Sequence, residues 1–154
     1  MIEKVQESHL YMWLKEKDSK FLSKLDETIE YANTILPQIN NVFASYTVHG
    51  VRHSINVMEY MYALVVDINK LSELEVALLI YSALLHDIGM IANVDEIKEI
   101  KADHAILGER KYSKVLEKYG DEMTALQECV RPVHGKRARD YIETKVMDSS
   151  IFLM

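Results

Sequence analysis

The chain has little of the residues that make turns or cross-links: one cysteine, two prolines and five glycines in 154 residues. A single cysteine, Cys129, excludes an internal disulfide and makes a reducing, cytoplasmic setting the default expectation. Glycine and proline are the main turn residues, so their scarcity favours long helices over strands. We predict one all-α domain over residues 1–154, a compact bundle of about six to eight helices.

A strong charge of one sign and a long apolar run are also missing. The formal net charge is −6, and acidic and basic residues alternate along the chain, unlike the basic surface of a protein that binds duplex nucleic acid. No apolar stretch approaches the ~20 residues of a membrane span. We expect no duplex nucleic acid and no membrane among the partners. The aromatic cluster at residues 10–14 is expected to dock as a short helix or to bind a partner, which leaves oligomerisation open.

Apolar residues at spacings of three and four predict most of the helices. One stripe runs over residues 21–43 and contains Pro37, which is expected to kink or split the helix. Ser72 followed by Glu75 is the pattern of a capping box. This pattern predicts the start of a central helix that continues to His86.

Glycines and histidines were used to predict where the other helices begin and end. Gly89 is the residue type favoured in the left-handed conformation that often ends a helix. A helix is predicted to open at His104 and to stop at Gly120. Another is predicted over residues 121–133, with Met123 among its inward positions.

The central helix ends in a pair of metal-ligand residue types. The apolar run Val76–Leu85 is typical of a helix buried on most faces, and it is followed directly by His86 and Asp87. Buried imidazole and carboxylate groups need partners, because leaving them unpaired costs several kcal/mol. Further histidines are available at positions 53, 104 and 134. Nitrogen and oxygen ligands without a thiolate favour a divalent ion in a functional site over a structural zinc site, and the sequence therefore predicts a helical, hydrolytic metal site.

Three local motifs resemble the HD superfamily of metal-dependent phosphohydrolases. They are Tyr-Thr-x-His-Gly-x-x-His-Ser at 46–54, Ala-Leu-Leu-His-Asp-Ile-Gly at 83–89, and His-x-x-x-Gly at 104–108. The resemblance covers roughly Phe43 to Gly135. The first motif is similar to a subgroup of HD domains found in larger bacterial proteins, some of them fused to ATPase-like modules.

This resemblance implies a metal site and a reaction. It implies His53, His86 and Asp87 as primary metal ligands, with Asp87 bridging two ions and acting as the catalytic carboxylate, and His104 and His134 as the additional histidines of two-metal members. One or two divalent ions are implied, and Mn, Fe, Mg, Zn and Ni all suit these ligands. Such a site activates water and neutralises phosphoryl charge. The implied reaction is hydrolysis of a phosphate ester, on a nucleotide or a related phosphorylated small molecule.

The chain departs from the family pattern after the third motif. HD domains normally complete the site with an aspartate on a later helix, and the late aspartates here, Asp140 and Asp148, lack the surrounding motif. Two interpretations follow: the chain is an N-terminal fragment of a longer protein, or the site is incomplete. The second interpretation gives the alternative function, a degenerate HD domain that serves as a non-catalytic sensor or interaction module in a larger protein.

A second departure concerns the contacts to phosphate. Several active families have a lysine directly after His-Asp-x-Gly, where this chain has Met90. Arg131 and Lys136 flank His134 and are the candidate replacements. His49 lies four residues before His53 with Gly50 between them, so we predict a substrate-facing or supporting role for His49 in place of metal ligation.

Overall fold

The protein is described here by a computed structural model that covers residues 4–44, 50–105 and 107–148, with side chains up to Thr144. No β-strand occurs in these ranges, so the prediction of an all-α bundle is confirmed. The α-helices are α1 His9–Glu16, α2 Leu22–Ile35, α3 Asn40–Phe43, α4 Val51–Leu64, α5 Glu73–Leu85, α6 Val94–Lys101, α7 Tyr112–Tyr119, α8 Glu122–Val130 and α9 His134–Asp148. Single 3₁₀ turns cover Val5–Glu7, Leu36–Ile39, Ile68–Lys70, Ile88–Met90 and Arg131–Val133.

Helix α5 forms the centre of the bundle. Its residues Val76, Ala77, Ile80, Ala83 and Leu84 are completely buried, and helices α1, α2 and α4 pack around it. Because apolar residues occur on nearly all sides of α5, burying it on most faces is the arrangement that removes the most apolar surface from water. The His86–Asp87 pair is thereby attached to the end of a helix that is buried in the core.

The aromatic N-terminal cluster belongs to this core. Leu10 and Leu14 of α1 are completely buried, and Tyr11 is nearly so. Ser8 caps the helix, since its hydroxyl accepts a hydrogen bond from the Tyr11 backbone N–H. Of the two expectations for this segment, the docked helix is the one that is observed.

Within the described residues, no single helix is long and apolar enough to cross a membrane. Among the described helices, one consecutive pair, Glu73–Met90 with Val94–Lys101, has together the length and apolar composition of a membrane span, and it is bent by 48° at its break.

Pro37 splits the long apolar stripe, as predicted. Helix α2 ends at Ile35, a 3₁₀ turn covers Leu36–Ile39, and α3 continues to Phe43. Proline has no backbone N–H to donate to the preceding turn, and its ring clashes with the carbonyl four residues earlier, so the α-helical ladder is interrupted there.

The prediction of a helix from His104 is wrong. Residues 104–105 and 107–110 are not helical, and α7 begins only at Tyr112. The left-handed φ of Gly108 (66°), inside the predicted span, is incompatible with a continuous right-handed helix. Gly120, with φ of 70°, ends α7 as predicted.

The inward position predicted for Met123 is also wrong. Met123 is exposed on α8, whereas Leu126 and Cys129 of the same helix are buried. Helix α8 starts at Glu122, capped by Asp121, so Met123 lies in its first turn. The adaptable methionine side chain is tolerated at such an edge position.

The capping box at the start of α5 is present and gives a testable stability effect. The Ser72 hydroxyl accepts a hydrogen bond from the Glu75 N–H at 3.3 Å, and the Glu75 carboxylate accepts one from the Ser72 N–H at 2.7 Å. We expect Ser72→Ala to lower the free energy of unfolding by about 1 kcal/mol, measured by urea denaturation. Ser23→Ala, on the exposed surface of α2, is the control and should change stability by less than about 0.5 kcal/mol. Equal losses in both variants would contradict a capping role.

Candidate metal centre

The start of α4 and the end of α5 lie side by side. The two helices are joined by the short segment 65–72 and pack against each other, and such a connection reverses the chain so that the helices run antiparallel. His53, in the first turn of α4, is therefore brought next to His86, which immediately follows α5. The predicted pairing of these distant histidines is explained by the antiparallel connection.

Three side chains form one compact cluster at this junction. The Nε2 atoms of His53 and His86 are 3.2 Å apart. The Asp87 Oδ2 atom lies 3.1 Å from the His86 Nε2 and 3.6 Å from the His53 Nε2. Among the described residues, this is the group of histidine, cysteine and acidic side chains whose ligand atoms all lie within 4.8 Å of one another.

The spacing of the three atoms fits a shared divalent ion. Two ligand atoms that each lie about 2.1 Å from one ion, at angles of about 90° to 110°, are about 3.0 to 3.4 Å apart. The two shorter distances in the cluster fall in that interval, and the third exceeds it by a few tenths of an ångström. Two imidazole nitrogens and one carboxylate oxygen are ligands that Mn, Fe, Ni and Zn accept. The residues present therefore fit a metal ion.

His86 is oriented for ligation by a hydrogen bond on its other nitrogen. The Nδ1 atom lies 3.0 Å from the carbonyl oxygen of Ala83. A carbonyl can only accept, so Nδ1 carries a proton. In the neutral ring, the form that binds a metal, the lone pair of Nε2 then faces the cluster. This is the usual supporting contact of a metal-binding histidine.

Electrostatics at the cluster favour positive charge. The Asp87 residue is only 9 % exposed, and its hydrogen bond raises the pKa of the His86 imidazole, while partial burial of the ring opposes that rise. The cluster also lies at the carboxyl end of α5, where the helix dipole is negative. A cation in this position is stabilised by the carboxylate and by the helix end.

Gly89 is required for a different reason from the one predicted. It does not have a positive φ, so the prediction of a left-handed helix end is wrong. The start of α9 lies directly on it: a Cβ built at Gly89 would overlap the His134 carbonyl oxygen and lie 2.6 Å from the Ala138 backbone N. The absence of a side chain lets α9 pack against the segment that follows Asp87.

Arg137 of α9 is hydrogen-bonded to the segment that follows Asp87. Its Nε donates to the Gly89 carbonyl at 2.7 Å and one Nη donates to the Ile91 carbonyl at 2.6 Å. The other Nη pairs with the Glu96 carboxylate at 2.6 Å, and the two side chains are only 18 % and 31 % exposed. The role of Arg137 is not predictable from the sequence, because nothing in the local pattern distinguishes it from the neighbouring Arg139.

Removing the Arg137 guanidinium should be strongly destabilising. We expect Arg137→Gln to lower the free energy of unfolding by about 2 to 4 kcal/mol, because two carbonyls and a partly buried carboxylate lose their donors together. Chemical denaturation measures the effect. Arg139→Gln is the matched control on the same helix; Arg139 is exposed and pairs with Asp140, so a change within about 0.5 kcal/mol is expected. A loss in Arg137→Gln no larger than in the control would contradict the role assigned to these hydrogen bonds.

The structure does not bring His104 or His134 into the cluster defined above. His104 lies in the turn after α6, where its Nδ1 is 3.3 Å from the Glu99 carboxylate and the ring is exposed. His134 begins α9, and its Nδ1 is 2.6 Å from the Arg131 carbonyl oxygen. Its backbone packs on Gly89, two residues after Asp87. The ligand roles of His104 and His134 remain predictions.

The other predicted site residues are placed as follows. Arg131 and Lys136 are exposed on either side of His134, and their contacts to phosphate remain predictions. Asp140 is exposed and pairs with Arg139, so it is not part of the cluster. Asp148 ends α9, but its side chain, like the whole of His49, lies outside the described part of the protein.

Comparison with known protein families gives one match. The model of the HD-CE family matches residues 43–152, well over half of the chain. The matched range includes all three members of the cluster. No curated protein and no solved structure matches the chain.

Proposed function

Because this chain belongs to the HD-CE family of HD-type domains, we propose that it is a metal-dependent phosphohydrolase that acts on a phosphorylated small molecule such as a nucleotide. The observation that carries the proposal is the cluster of His53, His86 and Asp87, whose ligand atoms lie within 4.8 Å of one another. The one cysteine is buried, which suits the reducing cytoplasm in which we place the protein.

The chain's own residues would hold the ion and keep its surroundings fixed. His53 and His86 would each contribute an Nε2 and Asp87 its Oδ2. A divalent ion bound there would supply activation of a water molecule and neutralisation of charge on the phosphoryl group. Ala83 keeps the His86 ring in the correct tautomer, and Arg137 holds the backbone that follows Asp87. In the reaction a water oxygen forms a bond to phosphorus, the bond from phosphorus to the leaving oxygen breaks, and that oxygen leaves with a proton.

Two observations favour a second candidate, a metal-binding domain without turnover that works as a sensor or interaction module. Within the described residues the cluster contains three ligands, and Asp140 lies outside it. Met90, at the position where several active HD families have a lysine, is buried in the core. A site with fewer ligands than the usual HD site, and without the lysine side chain, would bind a metal ion without hydrolysing a phosphate ester.

A hydrolysis assay separates these two candidates. Purified protein is treated with a chelator, reloaded with Mn²⁺, and tested for phosphate release from phenyl phosphate, glycerol 1-phosphate and nucleoside monophosphates. The proposal predicts release that depends on Mn²⁺ and is lost again with the chelator. Binding of the metal with no release from any of these esters would overturn the enzyme proposal and support the second candidate.

A further inference from the structure

An open groove runs between α5 and α9 and begins at His86. On α5 it is lined by Leu78, Tyr81, Ser82, Leu85 and His86, and on α9 by Gly135, Ala138, Arg139, Ile142 and Glu143. Both sets follow the spacing of one helix face: i, i+3, i+4, i+7, i+8. The groove is thus the space between two facing helical stripes, about 12 Å long at 1.5 Å per residue, with a volume of about 750 Å³.

One end of the groove lies at His86, a member of the candidate metal cluster. His86 contributes its Nε2 to the ligand cluster and also lines the groove. Gly135, next to His134, lies on the opposite side, at the start of α9. Along α5 the groove leads away from the cluster to Leu78, which is two turns earlier in the helix.

The walls of the groove are apolar and its edge is charged. Leu85 and Ala138 are buried, Tyr81 and Ile142 are partly buried, and Leu78 is 45 % exposed. The exposed pair at the edge, Arg139 and Glu143, approach each other to 3.8 Å. The interior of the groove therefore offers apolar contact and few hydrogen-bond partners.

We propose that this groove holds the leaving group of the substrate, and that within the proposed class of phosphorylated small molecules a phosphate ester of an aromatic or aliphatic alcohol is preferred over a glycerol phosphate or a sugar phosphate, nucleotides included. The proposal rests on the hydrolytic function proposed above. With the phosphoryl group at the cluster, the ester's organic part extends from His86 into the groove. An apolar group gains free energy there by leaving water, whereas hydroxyl groups would lose hydrogen bonds to water without replacement. The volume is in the range of small-molecule sites, about 300 to 1,000 Å³.

The chain offers a matched pair of leucines for the test. Leu74 and Leu78 lie one turn apart on α5 and are 41 % and 45 % exposed. Only Leu78 lines the groove, and Leu74 faces a different depression together with Trp13 and Lys17. Leu78→Gln and Leu74→Gln add no charge and alter partly exposed positions, and circular dichroism verifies that both variants are folded.

The experiment has a kinetic readout and a binding readout. The kinetic readout is the ratio of kcat/KM for naphthalen-1-ylmethyl phosphate to that for glycerol 1-phosphate, in the Mn²⁺-loaded protein. Both esters release an alkyl alcohol, so the ratio reports on binding of the organic part. We expect the ratio to exceed about ten in the wild type, to fall about tenfold in Leu78→Gln and to stay unchanged in Leu74→Gln. The binding readout is the dissociation constant of naphthalen-1-ylmethyl phosphonate, which cannot be hydrolysed. We expect Leu78→Gln to weaken this binding and Leu74→Gln to leave it unchanged.

The outcomes distinguish this inference from the function on which it rests. Phosphonate binding that is weakened by Leu78→Gln alone, with no hydrolysis of any ester, supports the groove and refutes the enzyme. Hydrolysis with equal kcat/KM for both esters supports the enzyme and overturns the groove. Equal effects of Leu78→Gln and Leu74→Gln also overturn the groove proposal. If the wild type is a dimer that Leu78→Gln dissociates, the proposal is overturned too, because a second copy of the chain then occupies the groove.

Discussion

We expect Asp87→Asn to weaken the binding of divalent metal by more than about a hundredfold and to reduce metal-dependent hydrolysis to the background rate. Removing even a residue that only supports a ligand costs about 10- to 100-fold in metal affinity, and here a charged ligand itself is lost. Asparagine has the shape of aspartate, so the change removes charge and basicity without creating a cavity. Isothermal titration with Mn²⁺ measures the affinity.

Asp95→Asn is the matched control for this substitution. Asp95 lies in the first turn of α6, is highly exposed and pairs with Lys98 on the same helix. It should bind Mn²⁺ as the wild type does. Undiminished Mn²⁺ affinity in a folded Asp87→Asn variant would show that Asp87 is not a ligand, and the proposed centre would have to be abandoned.

Gly89→Ala is expected to lower the free energy of unfolding by about 3 kcal/mol or more, or to prevent folding. The new methyl group would overlap backbone atoms at His134 and Ala138, and a helix backbone cannot move aside as a flexible side chain can. Helix α9 would have to withdraw from the segment after Asp87, which also breaks the hydrogen bonds of Arg137. Urea denaturation of the purified variant gives the loss.

A second glycine, Gly135 of α9, provides the opposite expectation. A Cβ at Gly135 would meet nothing within 4 Å, so Gly135→Ala should be neutral or should stabilise the protein by about 0.5 kcal/mol through its higher helix propensity. If Gly89→Ala is as stable as Gly135→Ala, then α9 does not pack on Gly89 as described.

Patterns within single segments of the sequence allowed much of the fold and the residues of the metal cluster to be predicted. The apolar run Val76–Leu85, the capping box and the His-Asp pair are local signals, and they identified α5 and two cluster members. His53 was identified by its motif at the start of α4. The antiparallel connection between α4 and α5 places the start of α4 beside the end of α5, where His86 and Asp87 lie. These features depend on hydrogen bonds and periodicity that are local in the sequence.

The errors concern contacts between distant segments. Gly89 was assigned a backbone conformation, whereas its role is close packing under α9, which begins 45 residues later in the chain. Arg137 carries no local signal, because its three acceptors belong to residues 89, 91 and 96. The helix predicted from His104 failed because Gly108, inside its span, adopts a left-handed conformation. The Asp103 carboxylate accepts a hydrogen bond from the Ser113 N–H at the start of α7, ten residues later. Pairings of this kind become visible only when the chain is folded.

The most direct test of the metal centre is the metal content of the purified chain, compared between the wild type and the double variant His86→Ala, Asp87→Ala. Elemental analysis after equilibration with Mn²⁺ and gel filtration gives the number of ions per chain. We predict about one or two equivalents in the wild type and none in a folded double variant. A folded wild type that retains no divalent ion, or a double variant that retains as much as the wild type, would contradict the assignment of His53, His86 and Asp87 as a metal centre.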